Sequence, residues 1–192
     1  MPSSKDAGSK DAVRPPQQSG GSLGLVIVLV AAAVLAYVAL RSTGPSDQQL
    51  AGVMLPPLEV QGWFNVQRPL RNEDLRGKVV LLDCWFVGCP PCRAAMPRLV
   101  EFNRRFRSQG LQLVGLTIDS GEEARQAEAF ARSIPGLDWP VGYGAQIPVQ
   151  DILGINEFPT LVLFDKSGRA VWAGHSEQGL EAATLSALAA PQ

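Results

Sequence analysis

Cysteine and histidine are scarce in this chain: 192 residues hold three Cys and one His. A structural zinc site needs four ligands. Cys84, Cys89, Cys92 and a distant His175 are the whole supply of the two usual ligand types, so no metal is expected. Net charge is equally sparse. A formal charge of −1 and an isoelectric point near 5.8 give no case for nucleic acid as a partner. No internal repeat is visible. Charge is absent altogether from Leu23 to Leu40, and that gap carries information of its own.

What is present is one Cys89-Pro90-Pro91-Cys92 segment, at the end of an apolar run and the start of a helix-compatible stretch. The run Val79-Val80-Leu81-Leu82-Asp83-Cys84-Trp85-Phe86 is short, apolar and β-branched at its start, as a buried central strand is. Two thiols three residues apart on a first helical turn can close a small disulfide. Cys89 sits where unpaired N–H groups and the helix dipole favour a thiolate. Half a zinc site and a purely structural bridge are the competing uses. The first lacks ligands, and the second closes so short a loop that it stabilises little. A thiolate with a resolving partner is the minimum apparatus for thiol–disulfide exchange, which needs no cofactor. Cys84, on the strand itself, reads as a buried filler. His175, in a late polar stretch, reads as solvated.

The N-terminal third has a different character. Residues 1–22 are rich in Ser, Lys, Asp, Gly, Pro and Gln and carry the composition of a disordered tail. Leu23 to Leu40 is an uncharged apolar stretch of 18 residues. At ~1.5 Å per residue a helix over it reaches about 27 Å, close to the ~30 Å of a bilayer core. A cleavable signal peptide is the alternative, but its apolar region is shorter and no clear cleavage site follows here. Lys5, Lys10 and Arg14 precede the span and Arg41 follows it. That bias keeps the tail in the cytoplasm and puts everything after residue 41 outside it. Residues 41–55 form a polar linker, and residues 56–192 have the size of one domain.

Within that domain strands and helices alternate. One or two short strands are expected within Leu58–Val66, and a strong strand over Lys78–Phe86. A long helix runs to about Gln109 with Pro97 inside it, and a strand follows over Leu111–Ile118. Ser120-Gly121-Glu122-Glu123 reads as a capping box that opens the next helix. A helical turn is expected within Ile147–Leu153 and a strand over Thr160–Phe164. A turn at Asp165–Gly168 leads to a hairpin strand, Arg169–Ala173, and a terminal helix covers Gln178–Ala189. The class is α/β: a mixed sheet flanked by helices, preceded by a single transmembrane helix.

Several segments together resemble the thioredoxin superfamily, and within it the membrane-anchored TlpA/ResA-like branch. Gly77-Lys78-Val79-Val80-Leu81-Leu82 is similar to the branch's first core strand. Trp85 matches its aromatic, Cys89-Pro90-Pro91-Cys92-Arg93 its redox motif, and Met96-Pro97 the proline that follows. Gly154-Ile155-Asn156-Glu157-Phe158-Pro159-Thr160 resembles its distal Pro-Thr strand, and Leu163 to Arg169 the turn after that. The similarity covers roughly residues 55–190.

The resemblance implies a thiol–disulfide oxidoreductase. Cys89 is then the nucleophile and Cys92 resolves the mixed disulfide. A cis proline, Pro159, faces the site, and Phe158 pairs its main chain with an extended substrate segment. Trp85 is expected to border the substrate. Asp83, six residues before Cys89, corresponds to a buried carboxylate that takes the proton of Cys92. The implied setting is the outer face of a bacterial cytoplasmic membrane. Protein disulfides are the substrates, a membrane protein donates the electrons, and cytochrome c maturation is one such role. Disulfide oxidase or isomerase activity is the first rival. A copper-binding module is a second, although such relatives place three residues between their cysteines. A peroxidase is weaker, since no Pro-x-x-x-Thr-x-x-Cys precedes the motif. Three departures stand out: Gly88 where the family carries Trp, Ala95 where many members carry Glu, and Cys84 in place of a common Phe.

Overall fold

The computed structural model describes residues 26–31, 33, 53–146 and 153–191, in two separate units. In the first unit residues 26–31 and 33 are helical, and Val26 to Val30 are exposed. Among the described residues no helix is long and apolar enough to cross a membrane. The rest of the expected span, the tail and most of the linker lie outside the described residues.

The second unit is built on β2, Val79–Trp85, in which all seven residues are buried. A strand apolar on both faces can only be central, and β2 is flanked by partners on each side. It pairs in parallel with β3, Leu111–Thr117, and antiparallel with β5, Thr160–Phe164. Beyond β3 lie β4, Val141–Tyr143, and β1, Gly62–Phe64; beyond β5 lies β6, Ala170–Gly174. Among the described residues the order is β1-β4-β3-β2-β5-β6, a mixed sheet of six strands. Parallel neighbours need a crossover, and helices supply it. Helix α1, Pro90–Phe106, links β2 to β3, and α2, Gly121–Ser133, links β3 to β4. The chain ends on α3, Leu180–Ala189.

Alternation along β2 divides the interior in two. Val79, Leu81 and Trp85 join Met96, Leu99 and Phe106 of α1, Ala127 and Ala131 of α2, and Leu180 of α3. Val80, Leu82 and Cys84 face the other way, among Leu75, Val114, Leu153, Ile155, Val162 and Phe164. Gly110, at φ 108, turns the chain between the end of α1 and β3 in a left-handed conformation that glycine adopts freely.

Three details differ from the sequence reading, and a fourth is not described. The capping box before α2 is not made by side chains: Ser120 forms no side-chain cap, and its backbone carbonyl accepts from the N–H groups of Glu123 and Ala124. Val53 to Leu55, expected in the linker, run beside the β5–β6 turn. Leu55 donates to Gly168, Ala170 donates to Val53, and Met54 bridges Arg169. Strand β4 was not foreseen, because three residues after Pro140 carry no alternation to read. The expected turn at Ile147–Leu153 lies outside the described residues except for Leu153.

Candidate active site

The site forms where β2 gives way to α1. After Trp85 the chain turns, and the Cys89 N–H donates to the Phe86 carbonyl at 3.1 Å. Cys89 then caps the helix, its sulfur accepting from the Cys92 N–H at 3.2 Å. Pro90 and Pro91 fill the first two helical positions, where a missing N–H loses no intrahelical bond. They leave the Cys92 amide as the first helical donor aimed at the Cys89 sulfur. Sequence and geometry thus converge on an anion-stabilising position for Cys89. The two cysteines are joined in a disulfide with Cα atoms 5.3 Å apart, and both are buried.

Asp83 is a carboxylate in an apolar strand. It is 1% exposed, and among the described residues its Oδ2 has no hydrogen-bond partner. By alternation it points to the same side of β2 as Leu81 and Trp85, the side that packs on Cys92, Met96 and Leu99. Burial, and then the negative charge of Glu177, push its carboxyl up to about 7. Glu177 is itself paired with Arg98 of α1 at 2.8 Å. Cys84, the next residue, lies on the opposite face as a free buried thiol, and burial raises its thiol well above the ordinary range.

The structure corrects the expectation for Trp85. Its ring is fully buried, 6.0 Å from the Phe130 ring, and the guanidinium of Arg93 lies 4.5 Å over the other partner, Phe130. Gly115 makes room for it: a Cβ there would come within 3.4 Å of the indole nitrogen. A ring so enclosed cannot border a substrate. The half-buried aromatic beside the cysteines is Phe86, which meets Phe158 edge to face at 5.4 Å. The Phe158–Pro159 peptide is cis. Among the described residues the N–H and C=O of Phe158 take no hydrogen-bond partner, and β5 begins only at Thr160.

Two contacts near the site escaped the sequence reading. Asp119, buried just past β3, accepts from the Val87 N–H at 2.7 Å and from the Thr117 hydroxyl. It ties the loop that carries Cys89 to the neighbouring strand. The only available signal was a pair of polar residues, Thr117 and Asp119, at a strand end. His175, read as solvated, keeps a half-exposed ring, but its Nδ1 lies 3.0 Å from the Pro159 carbonyl.

Comparison with known proteins agrees with this geometry. A family model described as Thioredoxin-like matches residues 77–170. The thiol-disulfide oxidoreductase ResA of Geobacillus thermodenitrificans is 34% identical over 102 residues, 53% of this chain and 57% of that protein. ResA of Bacillus subtilis is 27% identical over 148 residues, 77% of this chain and 79% of that one. The chain therefore spans little more than half the length of the first of these relatives. Among solved structures, a thioredoxin-like superfamily protein superposes with a TM-score of 0.63 at 26% identity, covering 72% of this chain and 98% of that one. A thiol-disulfide isomerase from Corynebacterium glutamicum shares the fold with the same TM-score at 23% identity, covering 72% and 98%. The mixed sheet with a Cys-Pro-Pro-Cys helix start is thus similar, over residues 77–170, to a domain described as Thioredoxin-like, and over a longer stretch to the ResA thiol-disulfide oxidoreductases.

Proposed function

We propose that this chain is a thiol–disulfide oxidoreductase that reduces disulfides in proteins outside the cytoplasm. The observation that carries the reading is the Cys89–Cys92 pair at the start of α1, with the Cys89 sulfur held by the Cys92 amide. In the reduced form the Cys89 thiolate attacks one sulfur of the substrate disulfide. A mixed disulfide forms and one substrate thiolate leaves. Cys92 then loses its proton and attacks the Cys89 sulfur, releasing the second substrate thiolate. Two electrons have passed to the substrate, and the enzyme holds the 89–92 disulfide. Asp83 supports the second step. A carboxyl raised to about 7 is matched to accept the Cys92 proton near neutral pH.

Docking falls to the edge at residues 157–160. The unpartnered main chain of Phe158 offers an N–H and a C=O to an extended substrate segment, as an added strand would pair. The Phe86 and Phe158 rings supply an apolar contact beside it, in place of the aromatic that Gly88 lacks. Residues 23–40 anchor the chain in the bacterial cytoplasmic membrane with the domain outside, supported by the uncharged run and the basic residues before it. A membrane protein that reduces the 89–92 disulfide completes the cycle.

The full chain should reduce insulin when supplied with dithiothreitol, and alkylation-shift assays should show two thiols that protect reversibly. A Cys89→Ser variant that still reduces insulin would refute Cys89 as the nucleophile. A measured potential close to those of disulfide oxidants would reverse the direction proposed here. Resistance to carbonate extraction, with residues after 41 cut by protease added to spheroplasts, tests the anchor. A shortened soluble product would refute it.

A further inference from the structure

We propose that His175 is a positioning residue for the docking edge: its Nδ1–H holds the Pro159 carbonyl and so sets the main chain of Phe158 beside Cys89. The inference rests on the reading of residues 157–160 as the edge that meets substrate.

The hydrogen-bond inventory determines which ring nitrogen carries the proton. The Thr160 hydroxyl lies 2.6 Å from the Glu157 carbonyl, which can only accept, so Thr160 gives its single hydrogen there. The Pro159 carbonyl can also only accept. His175 Nδ1 lies 3.0 Å from that carbonyl and 3.2 Å from the Thr160 oxygen. Nδ1 must therefore be the donor to both. Nε2 is left facing the Glu157 carboxylate at 3.6 Å. One ring thus touches residues 157, 159 and 160, three of the four in the edge.

The topology explains why a side chain does this work. The β5–β6 ladder ends at the Leu161–Gly174 pair, so His175 is the first residue of that strand beyond it. The preceding position on the β5 side is Thr160, and before it Pro159, which has no N–H to continue a ladder. Past that point the main chain of the edge has no strand beside it from β6. The imidazole takes the place of the missing ladder bond and reaches the carbonyl next to Phe158. The ring stays about half exposed, with Nε2 toward Glu157, and still makes both Nδ1 contacts.

The chain contains one histidine, so its imidazole can be observed in the full chain without assignment. Two-bond ¹H–¹⁵N spectra of the neutral ring should show the Nδ1–H tautomer. An Nε2–H tautomer overturns the proposal, whatever the variants do. In insulin reduction His175→Ala should raise KM about fivefold with kcat within twofold, the size of one lost hydrogen bond. His175→Asn, whose amide N–H reaches from the same position, should recover most of the loss. An unchanged KM in His175→Ala, or a loss confined to kcat, overturns the positioning role. A parent chain that fails to reduce insulin refutes the function itself. That result is distinct from an active parent with an indifferent His175→Ala variant.

Discussion

Asp83 and Cys84 are neighbours on one strand, equally enclosed, and chemically ionisable, yet they occupy different worlds. Asp83 faces the core that contains Cys92 and the first turns of α1; Cys84 faces the core closed by Leu75, Leu153 and Phe164. Burial suppresses the charge of both: the carboxyl rises to about 7 and the thiol rises out of reach of neutral pH. The same physical cause therefore brings one group into the working range and takes the other out of it. Which face a residue occupies, set by a period of two, decides whether its shifted proton lies near the redox pair.

The largest effect separates Cys89 from Cys84. Cys89→Ser should drop insulin reduction to the uncatalysed background, whereas Cys84→Ala should keep full turnover. Activity lost in Cys84→Ala, with folding intact by circular dichroism, would end the division between the faces.

Next comes the pH dependence of stability on the Asp83 side. Its carboxyl is raised in the folded state from 3.8 to about 7, so the fold holds the proton more tightly than the unfolded chain does. Its contribution is therefore fully present below pH 4, falls as pH rises toward 7, and is level above that. The difference between those limits is of order 4 kcal/mol. Urea unfolding of the oxidised chain at pH 4 and pH 8 should show that slope, and Asp83→Asn should remove it. A parallel loss of slope in Cys84→Ala would contradict the comparison.

Asp119 lies just past β3 and reaches the loop that carries Cys89 through the Val87 N–H. Asp119→Ala leaves the Val87 N–H without its acceptor and should destabilise the chain by about 1–3 kcal/mol. It should also shift the potential of the 89–92 couple, because the loop carrying Cys89 loses its tie to β3. Asp119→Asn, which keeps an acceptor oxygen, should retain most of the stability. Equal potentials in all three chains would reduce Asp119 to a structural role.

The smallest effect concerns Gly88. A Cβ there would meet the Phe86 ring at 3.3 Å, a contact relieved by a slight movement of the ring. Gly88→Ala should therefore cost less than about 1 kcal/mol. Its larger consequence should be a raised KM for insulin, since the displaced ring is the one that meets Phe158. A purely thermal effect would argue that the aromatic pair is packing alone.

The sequence by itself determined the local features. An apolar, β-branched run can only be an interior strand, and β2 lies within one residue of each expected end. Two thiols three apart before a helical stretch can only sit on a first turn, and they do. A carboxylate placed mid-run among apolar residues is expected to be buried, and Asp83 is. Each of these follows from periodicity and spacing over a few residues. The tertiary structure alone decided the contacts between distant segments. Trp85 and Phe86 are adjacent aromatics, and only the approach of Gly115 and Phe130 shows which one is enclosed. Asp119 reaches Val87 across 32 positions, and His175 reaches Pro159 across 16. Such pairs leave no periodic trace, because the bond joins one atom to one atom and constrains neither neighbour's type. They exist only once the sheet order has placed β3 beside β2 and β6 beside β5.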